Sequence, residues 1–306
     1  MRKKNKNNYT LLPYIRESVY GLDPTSKQFS GWPIEKLEIK SQWKYARGAG
    51  VVVAVIDTGC DLDHPDLQEN LLDGKNTIDN SSPSDDNGHG SHVCGTIAAK
   101  DNDFGMVGVA PETKIIPIKA LDKTGNGSIK HILDGIYYSI DRGVDFITMS
   151  LGSPHNSPDL SQAIKIASSK GIIIFCAAGN SGPNSDIMYP ARYEEVISIA
   201  AVDEELRRTN FSCSGDSLDF LAPGHNILST VPNNTYALMS GTSMSNPFVV
   251  GCASLLLSYN KQHHKYKLDN QDDYLKVLSS MCIPIENKEY QSRRYQGYGI
   301  LKLNLS

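Results

Sequence analysis

Three short strings place an acid, an imidazole and a hydroxyl among glycines. Asp57 stands in Val-Ile-Asp-Thr-Gly, His89 in Gly-His-Gly-Ser-His, and Ser243 in Gly-Thr-Ser-Met-Ser-Asn-Pro. A serine hydroxyl is nearly inert at neutral pH unless a base lies within hydrogen-bond reach. An imidazole oriented by a carboxylate is such a base, and Asp, His, Ser is one of the few chain orders known for this triad. The three strings therefore predict an activated serine.

Each of these residues also has a structural alternative. Asp57 is a good turn former at the end of a strand, and Ser243 is a good helix cap. His89 could lie at the surface or share a metal ion with His92, although no third ligand with suitable spacing follows the pair. The catalytic interpretation is favoured because the alternatives require three coincidences in the correct chain order.

Composition limits the other classes of function. The chain has 306 residues and a net charge of −4, which suits one large α/β domain. It has no long basic stripe, so nucleic acid is not an expected partner. The longest apolar runs, 51–56 and 171–178, are too short to span a bilayer, so we expect no membrane association.

The N-terminal residues and the cysteines bear on location. Met1 to Lys6 is basic, but no apolar stretch follows it as an export signal requires. We therefore expect a cytoplasmic protein. The six cysteines are spread singly without CxxC spacing, which predicts reduced thiols and no cysteine-bound metal.

Apolar runs of strand length alternate with segments of helical period, which predicts a parallel sheet covered by helices on both faces. Function in such sheets collects at the carboxyl ends of the strands, where Asp57 and Asn180 lie. The predicted strands are 51–57, 114–121, 145–151, 172–179 and 196–203, and the predicted helices are 88–99, 128–142, 159–169, 248–257 and 269–281.

The three strings resemble the signatures of the subtilisin-like serine peptidases. Leu11-Leu12-Pro13-Tyr14 resembles the Leu-Ile-Pro-Tyr motif in the N-terminal extension of bacterial intracellular subtilisins, with Leu12 in place of isoleucine. The resemblance implies a single peptidase domain over 26–306, with a central, mostly parallel sheet.

The resemblance further implies that residues 1–25 form an inhibitory extension, the chain being a zymogen until the extension is removed. In the group it resembles, the extension lies across the active site. Pro13, without an N–H and with a fixed φ, can hold a peptide bond out of attack geometry. We expect removal within 18–31. The alternative is that the four apolar residues only dock an N-terminal arm onto the core.

The same resemblance implies which groups hold a peptide substrate. Asn180 would donate its side-chain amide to the oxyanion, together with the backbone N–H of Ser243; its alternative is a turn-forming asparagine. The uncharged Met188 at the first specificity pocket predicts apolar residues before the cut. For the strand edges, turn and strand-end chemistry is the alternative. The edges and the pocket together comprise Gly125, Asn126, Gly127, Ser150, Leu151, Gly152, Ala178, Gly179 and Met188.

The loop 100–106 is rich in oxygen ligands, which calcium prefers. The resemblance places a structural Ca²⁺ here; an acidic surface loop is the alternative. The implied ligands are the Asp66 carboxylate, the Asn102 side chain and the carbonyls of Lys100, Phe104 and Met106.

Behind the nucleophile the chain departs from the family pattern, which usually reads Met-Ala-(Ser/Ala)-Pro-His. Asn246 and Phe248 are the unusual residues, and neither is a proton-transfer group. Three functions stay open: an endopeptidase cutting proteins broadly, a dedicated maturation peptidase that removes leaders from lanthipeptides, and a catalytically silent fold used for binding. Homodimers occur in the family, and the sequence leaves the oligomeric state open.

Overall fold

A computed structural model describes residues 8–20 and 27–306 of the chain, with side chains for residues 8–17 and 27–306. The predicted removal segment, 18–31, thus includes six residues, 21–26, that lie outside the described part. In chain order, the strands are β1 (Asn8–Leu11), β2 (Ile15–Tyr20), β3 (Val52–Asp57), β4 (Lys75–Asn76), β5 (Lys114–Lys119), β6 (Asn126–Ser128), β7 (Phe146–Met149), β8 (Leu151–Gly152), β9 (Ile173–Ala177), β10 (Val196–Val202), β11 (Phe220–Pro223), β12 (Ile227–Val231), β13 (Thr235–Ser240), β14 (Cys282–Ile283) and β15 (Ile300–Leu301).

Three of the helices begin after a residue whose side chain caps the helix N-terminus. The side chains of Ser128, Ser157 and Asn270 each accept a hydrogen bond from a backbone N–H in the first turn of the helix that follows. Such caps satisfy donors that the helix itself leaves free. The α-helices are α1 (Trp32–Lys36), α2 (Ile39–Gln42), α3 (His89–Ala98), α4 (Ile129–Asp141), α5 (Pro158–Ser169), α6 (Thr242–His263), α7 (Gln271–Ser279) and α8 (Arg293–Gln296).

A nine-stranded sheet forms the centre of the fold, in the order β14-β15-β11-β10-β9-β7-β3-β5-β4. Its neighbours pair in parallel except β14 and β15. Each face is covered by its own buried apolar cluster, one around Phe146 and Phe175 and the other around Ile56 and Ile147. Strands that bury both faces explain the continuous apolar runs of the sequence. The predicted α/β fold class is confirmed.

The helix that carries Ser243 differs from its prediction. It begins at Thr242 rather than 248 and continues to His263 rather than 257. Pro247 lies inside it, in the second turn, so the prediction that the proline stands near the start of the apolar helix misjudged the boundary. Pro247 has no N–H to donate to the Ser243 carbonyl. The helix tolerates the proline because the Ser150 hydroxyl donates to that carbonyl instead.

Residues 8–20 contribute to two small sheets beside the central one. β1 is the middle strand of a three-stranded antiparallel sheet, between β6 and β8. β2 pairs with β13 at the edge of the second, antiparallel to it. The N-terminal segment is therefore held by backbone pairing on both sides of the turn that contains Pro13.

In residues 8–20 and 27–306, none of the helices has the length and apolar character that crossing a membrane requires.

Candidate active site

Asp57 and His89 meet at the carboxyl end of β3. Asp57 is the last residue of that strand, and His89 is the first residue of α3, after Gly88 at φ 108°. His89 Nδ1 lies 2.8 Å from Asp57 Oδ1, and both side chains are fully buried. Among the described residues His89 Nε2 has no hydrogen-bond partner, which leaves that nitrogen available to a proton donor.

Ser243 occupies the first turn of α6, next to the extended Gly241. Its hydroxyl donates to the Ser150 carbonyl over 3.4 Å; within the described chain it makes no hydrogen bond to His89. Tyr14 lies beside His89 and beside Gly241, which precedes Ser243 by two residues. Its ring centre lies 4.9 Å from that of His89, and its Cβ lies 3.5 Å from the position of a Cβ built on Gly241.

Asn180 follows β9 and lies beside the start of α6. Its Oδ1 accepts from the Thr242 backbone N–H at 2.9 Å, which orients the amide so that Nδ2 faces the other way. Nδ2 donates to the Pro13 carbonyl at 2.6 Å. Gly179, with φ 118°, donates its backbone N–H to Thr242 Oγ1. The structure thus fixes the Asn180 amide beside the backbone of Gly241 and Thr242, the two residues before Ser243.

The two predicted strand edges flank one groove, and β1 fills it. Thr10 lies opposite Asn126 on one side and Gly152 on the other, and the Leu11 N–H donates to the Gly125 carbonyl at 2.8 Å. Residues 8–11 therefore run as a peptide strand between β6 and β8, which is how a protease groove holds an extended chain.

Leu12 and Met188 share the space over Gly152. A Cβ built on Gly152 would stand 2.7 Å from the Leu12 side chain and 3.2 Å from Met188. Leu12 is 1% exposed. The Met188 backbone N–H donates to the Ala178 carbonyl, which ties residue 188 to the segment that follows β9. An apolar side chain thus fills the predicted first pocket.

A third strand edge was missed by the sequence analysis, that of β13, which holds the segment after Pro13. β13 lies just before Gly241 and pairs with β2, with Ser240 opposite Ile15 and a bulge between Leu238 and Met239. The alternation in Thr235–Ser240 is a signal for a strand, but nothing in it indicates that its edge would meet a peptide.

A second missed residue is Asp85, 7% exposed. Its two oxygens accept five hydrogen bonds: from the hydroxyls of Thr58 and Ser91, and from the N–H groups of Asn87, Gly88 and Ser91. Asp85 therefore joins the turn after Asp57 to the start of α3. The sequence holds no signal for this, since the neighbouring acid at 86 has the same local pattern.

Within residues 8–20 and 27–306, His92 and His89 are not part of a group of three or more histidine, cysteine or carboxylate side chains that could hold a metal ion. Its Nε2 lies 2.9 Å from the Ile227 carbonyl, and burial lowers the pKa of the ring to about 3, so the ring stays neutral. His89 uses its Nδ1 on Asp57.

The predicted calcium ligands converge on a residue that the sequence analysis missed. Gln28 Nε2 lies 2.7 Å from the Lys100 carbonyl, 3.1 Å from Asn102 Oδ1 and 3.3 Å from the Met106 carbonyl. Three acceptors exceed the two donors of a primary amide. The Phe104 carbonyl is not among the acceptors that contact Gln28.

Asp66 completes this oxygen-rich cluster. It is fully buried and accepts from the Asn102 side chain at 3.0 Å, from the Met106 N–H at 2.9 Å and from the Tyr236 hydroxyl at 2.8 Å. The loop follows the end of α3 at Ala98.

Comparison with known proteins assigns the chain to a family. The subtilase family profile matches residues 48–299. An intracellular serine protease of Paenibacillus polymyxa is 42% identical over 279 residues, covering 88% of this chain and 84% of that protein. The major intracellular serine protease of Bacillus subtilis strain 168 is 40% identical over 80% of each chain. Subtilisin DY of Bacillus licheniformis is 43% identical over 74% of this chain and 84% of its own.

The chain therefore belongs to the subtilase family. It is a subtilisin-like serine protease, and the resemblance to the intracellular members is confirmed.

Asp85→Asn tests the link between the two catalytic segments. In this variant the asparagine NH2 group would face donors that bond to a carboxylate oxygen in the wild type. We therefore expect the free energy of unfolding to fall by about 1.5–3 kcal/mol. We also expect kcat on a peptide anilide to fall about tenfold, because His89 loses its fixed position. Chemical denaturation and steady-state kinetics measure the two effects. Asp63→Asn, an exposed acid nearby, is the control; equal behaviour of the two variants would contradict the role of Asp85.

Proposed function

We propose that the chain is an endopeptidase that cuts peptide bonds with the triad Asp57, His89 and Ser243. One observation carries the proposal: an extended strand lies between β6 and β8, and two residues beyond its end the Pro13 carbonyl accepts from the Asn180 amide. Backbone pairing along the groove would hold any extended chain, and in this proposal the amide donor stabilises the negative charge that develops on an attacked carbonyl.

Each triad member has a distinct task in this proposal. Ser243 turns its hydroxyl from the Ser150 carbonyl to His89 Nε2, gives up its proton there and attacks the substrate carbonyl. Asp57 keeps His89 in the tautomer that can accept the proton and stabilises the imidazolium. The peptide C–N bond breaks as His89 returns the proton to the leaving amine. Water then hydrolyses the acyl-enzyme by the same route.

Asn180 stabilises the tetrahedral intermediate. Its amide is already oriented by the hydrogen bond from Thr242 and needs no reorganisation during the reaction. The backbone N–H of Ser243 is the second donor in this proposal.

We propose that residues 1–25 inhibit the site until they are removed. Leu12 occupies the first pocket as a residue before the cut would, yet the carbonyl on Asn180 belongs to Pro13, one residue later. The next residue, Tyr14, covers the ring of His89. The segment therefore binds like a substrate, but the residue in the pocket is not the residue whose carbonyl contacts Asn180.

We also propose that the protein is located in the cytoplasm. It is supported by the printed descriptions of two relatives as intracellular serine proteases. Protein or peptide substrates follow from membership of the family.

The oxygen cluster around Gln28 fits a calcium ion. Calcium takes six to eight oxygen ligands. We propose that Asp66, Asn102 and the carbonyls of Lys100, Phe104 and Met106 hold the ion together with the Gln28 amide, turned so that its oxygen faces inward. The ion would crosslink the segment at Gln28 to the loop and to Asp66, and its role is structural.

The hydrolysis itself is tested with casein and calcium on the purified chain. Ser243→Ala should abolish release of peptides. Asn180→Ala should lower kcat about 100- to 1000-fold, a range known from an oxyanion donor in subtilisin rather than derived from this geometry. Asn210→Ala serves as the control because residue 210 is an exposed asparagine remote from the oxyanion donors in sequence. Undiminished proteolysis by Ser243→Ala would refute the proposed nucleophile.

Inhibition by the N-terminal segment is tested with Pro13→Ala. Alanine restores an N–H and frees φ, so the segment can settle with a bond in attack geometry. We expect the variant to lose the segment faster than the wild type, as measured by mass spectrometry, and its activity to rise earlier. Ser243→Ala should keep its N-terminus. An intact N-terminus in an active wild-type protein would contradict removal as the activating step.

Calcium binding is tested by thermal unfolding with and without a chelator, using the Ser243→Ala chain to prevent self-digestion. A ligand at 100 times its Kd stabilises by about 2.7 kcal/mol, so we expect chelation to lower Tm by about 5 °C. Asp66→Asn should lose most of this dependence. A Tm that ignores the chelator would exclude a calcium site here.

A further inference from the structure

A buried amide links the helix of Ser243 to the strand beside it. Asn246 lies one turn after Ser243 in α6 and is fully buried. Its Nδ2 lies 2.8 Å from Thr148 Oγ1, 3.3 Å from the Met149 carbonyl and 3.3 Å from Ser150 Oγ. The first two acceptors lie in the last two residues of β7, and the third lies in the residue between β7 and β8. Asn246 thus bonds the helix of the nucleophile to one wall of the substrate groove.

Pro247 explains why this link reaches Ser243. A proline has no N–H, so it cannot donate to the carbonyl four residues earlier, which is that of Ser243. The Ser150 hydroxyl donates to this carbonyl instead, at 3.2 Å. Because the Asn246 amide donates to the same hydroxyl oxygen, the single proton of Ser150 is directed toward Ser243. The hydrogen bonds therefore run in one direction, from Asn246 through Ser150 to Ser243.

The other end of the amide argues against a role in stability alone. Asn246 Oδ1 is buried and has no hydrogen-bond partner in residues 8–20 and 27–306. An unmade bond of this kind lowers stability. The hydrogen bonds that the side chain does make all go to the strand next to the nucleophile.

We propose that Asn246 is a positioning residue that holds Ser243 in register with the groove strand Ser150–Gly152. This role rests on the proposed endopeptidase function. The attacked carbonyl is placed by that strand and the attacking oxygen by α6, so the distance between them depends on how the two elements are joined. A shift of about 1 Å between reacting groups lowers the rate on the order of 100-fold.

The test compares two reactions of the activated full chain and of its Asn246→Ala and Asn246→Asp variants. Aspartate keeps the shape but, when ionised, donates no hydrogen bond. An extended peptide anilide engages the strand Ser150–Gly152, whereas a small fluorophosphonate labels Ser243 without it. We expect kcat on the peptide to fall about 10- to 100-fold, with KM within about threefold of wild type. The labelling rate should change less than about threefold.

Ser254→Ala is the matched control, a buried serine of α6 whose hydroxyl bonds only the Val250 carbonyl. It should leave the ratio of peptide turnover to labelling unchanged. Equal losses in both reactions of the Asn246 variants, or a lower Tm with normal kcat, would overturn the proposal.

Ser150→Ala keeps the proposal testable if the Asn246 variants do not fold. It removes the hydroxyl through which Asn246 reaches the Ser243 carbonyl and keeps the Ser150 backbone in place, and we expect a several-fold loss of kcat on the peptide with normal labelling. A normal kcat would overturn the proposed role. A wild-type chain that neither cuts nor labels overturns the proposed function and this role with it.

Discussion

The buried hydrogen bond between Asp57 and His89 is the interaction on which the site depends. Burying a carboxylate costs free energy that hydrogen bonds must offset. Asp57 Oδ1 accepts from His89 and from the Thr58 N–H, at 2.8 Å each, whereas Oδ2 has no hydrogen-bond partner among the described residues. Thr58 in turn is fixed by Asp85, which also holds the first turn of α3. The end of β3 and the start of α3 therefore form one hydrogen-bonded unit, and Ser243 needs only to be brought to it.

Recognition and restraint use the same contacts in this proposal. The edges of β6 and β8, the first pocket and Asn180 hold residues 8–13 as they would hold a substrate. Two features separate this arrangement from a reacting one: the carbonyl on Asn180 comes from a proline, and the Ser243 hydroxyl is bonded to the Ser150 carbonyl. In this proposal the groove itself is the inhibitory surface, because residues 8–11 pair with its edges and Pro13 contacts Asn180.

Sequence patterns predicted what is local or repeated. Parallel strands such as β3 and β9 were found because they are apolar on both faces, and Asp57, His89 and Ser243 were found because glycines flank them. Gln28 was missed because its partners lie more than 70 residues away and are mostly carbonyls, which any residue has. Asp85 was missed because five distant or backbone donors define it. The start of α6 was misplaced because the carbonyl that Pro247 leaves without a donor is satisfied by the Ser150 hydroxyl, 93 residues before it in the chain.

The position of β1 has a consequence for the chain once that strand is gone. β1 is the interior strand of its sheet, and β2 covers the outer edge of β13. Their departure leaves three rows of backbone N–H and C=O groups facing solvent, on β6, β8 and β13. Open edges of this kind invite pairing with any extended polypeptide. In the proposed mature enzyme, the groove is therefore a sheet without its middle strand, and each bound substrate completes it.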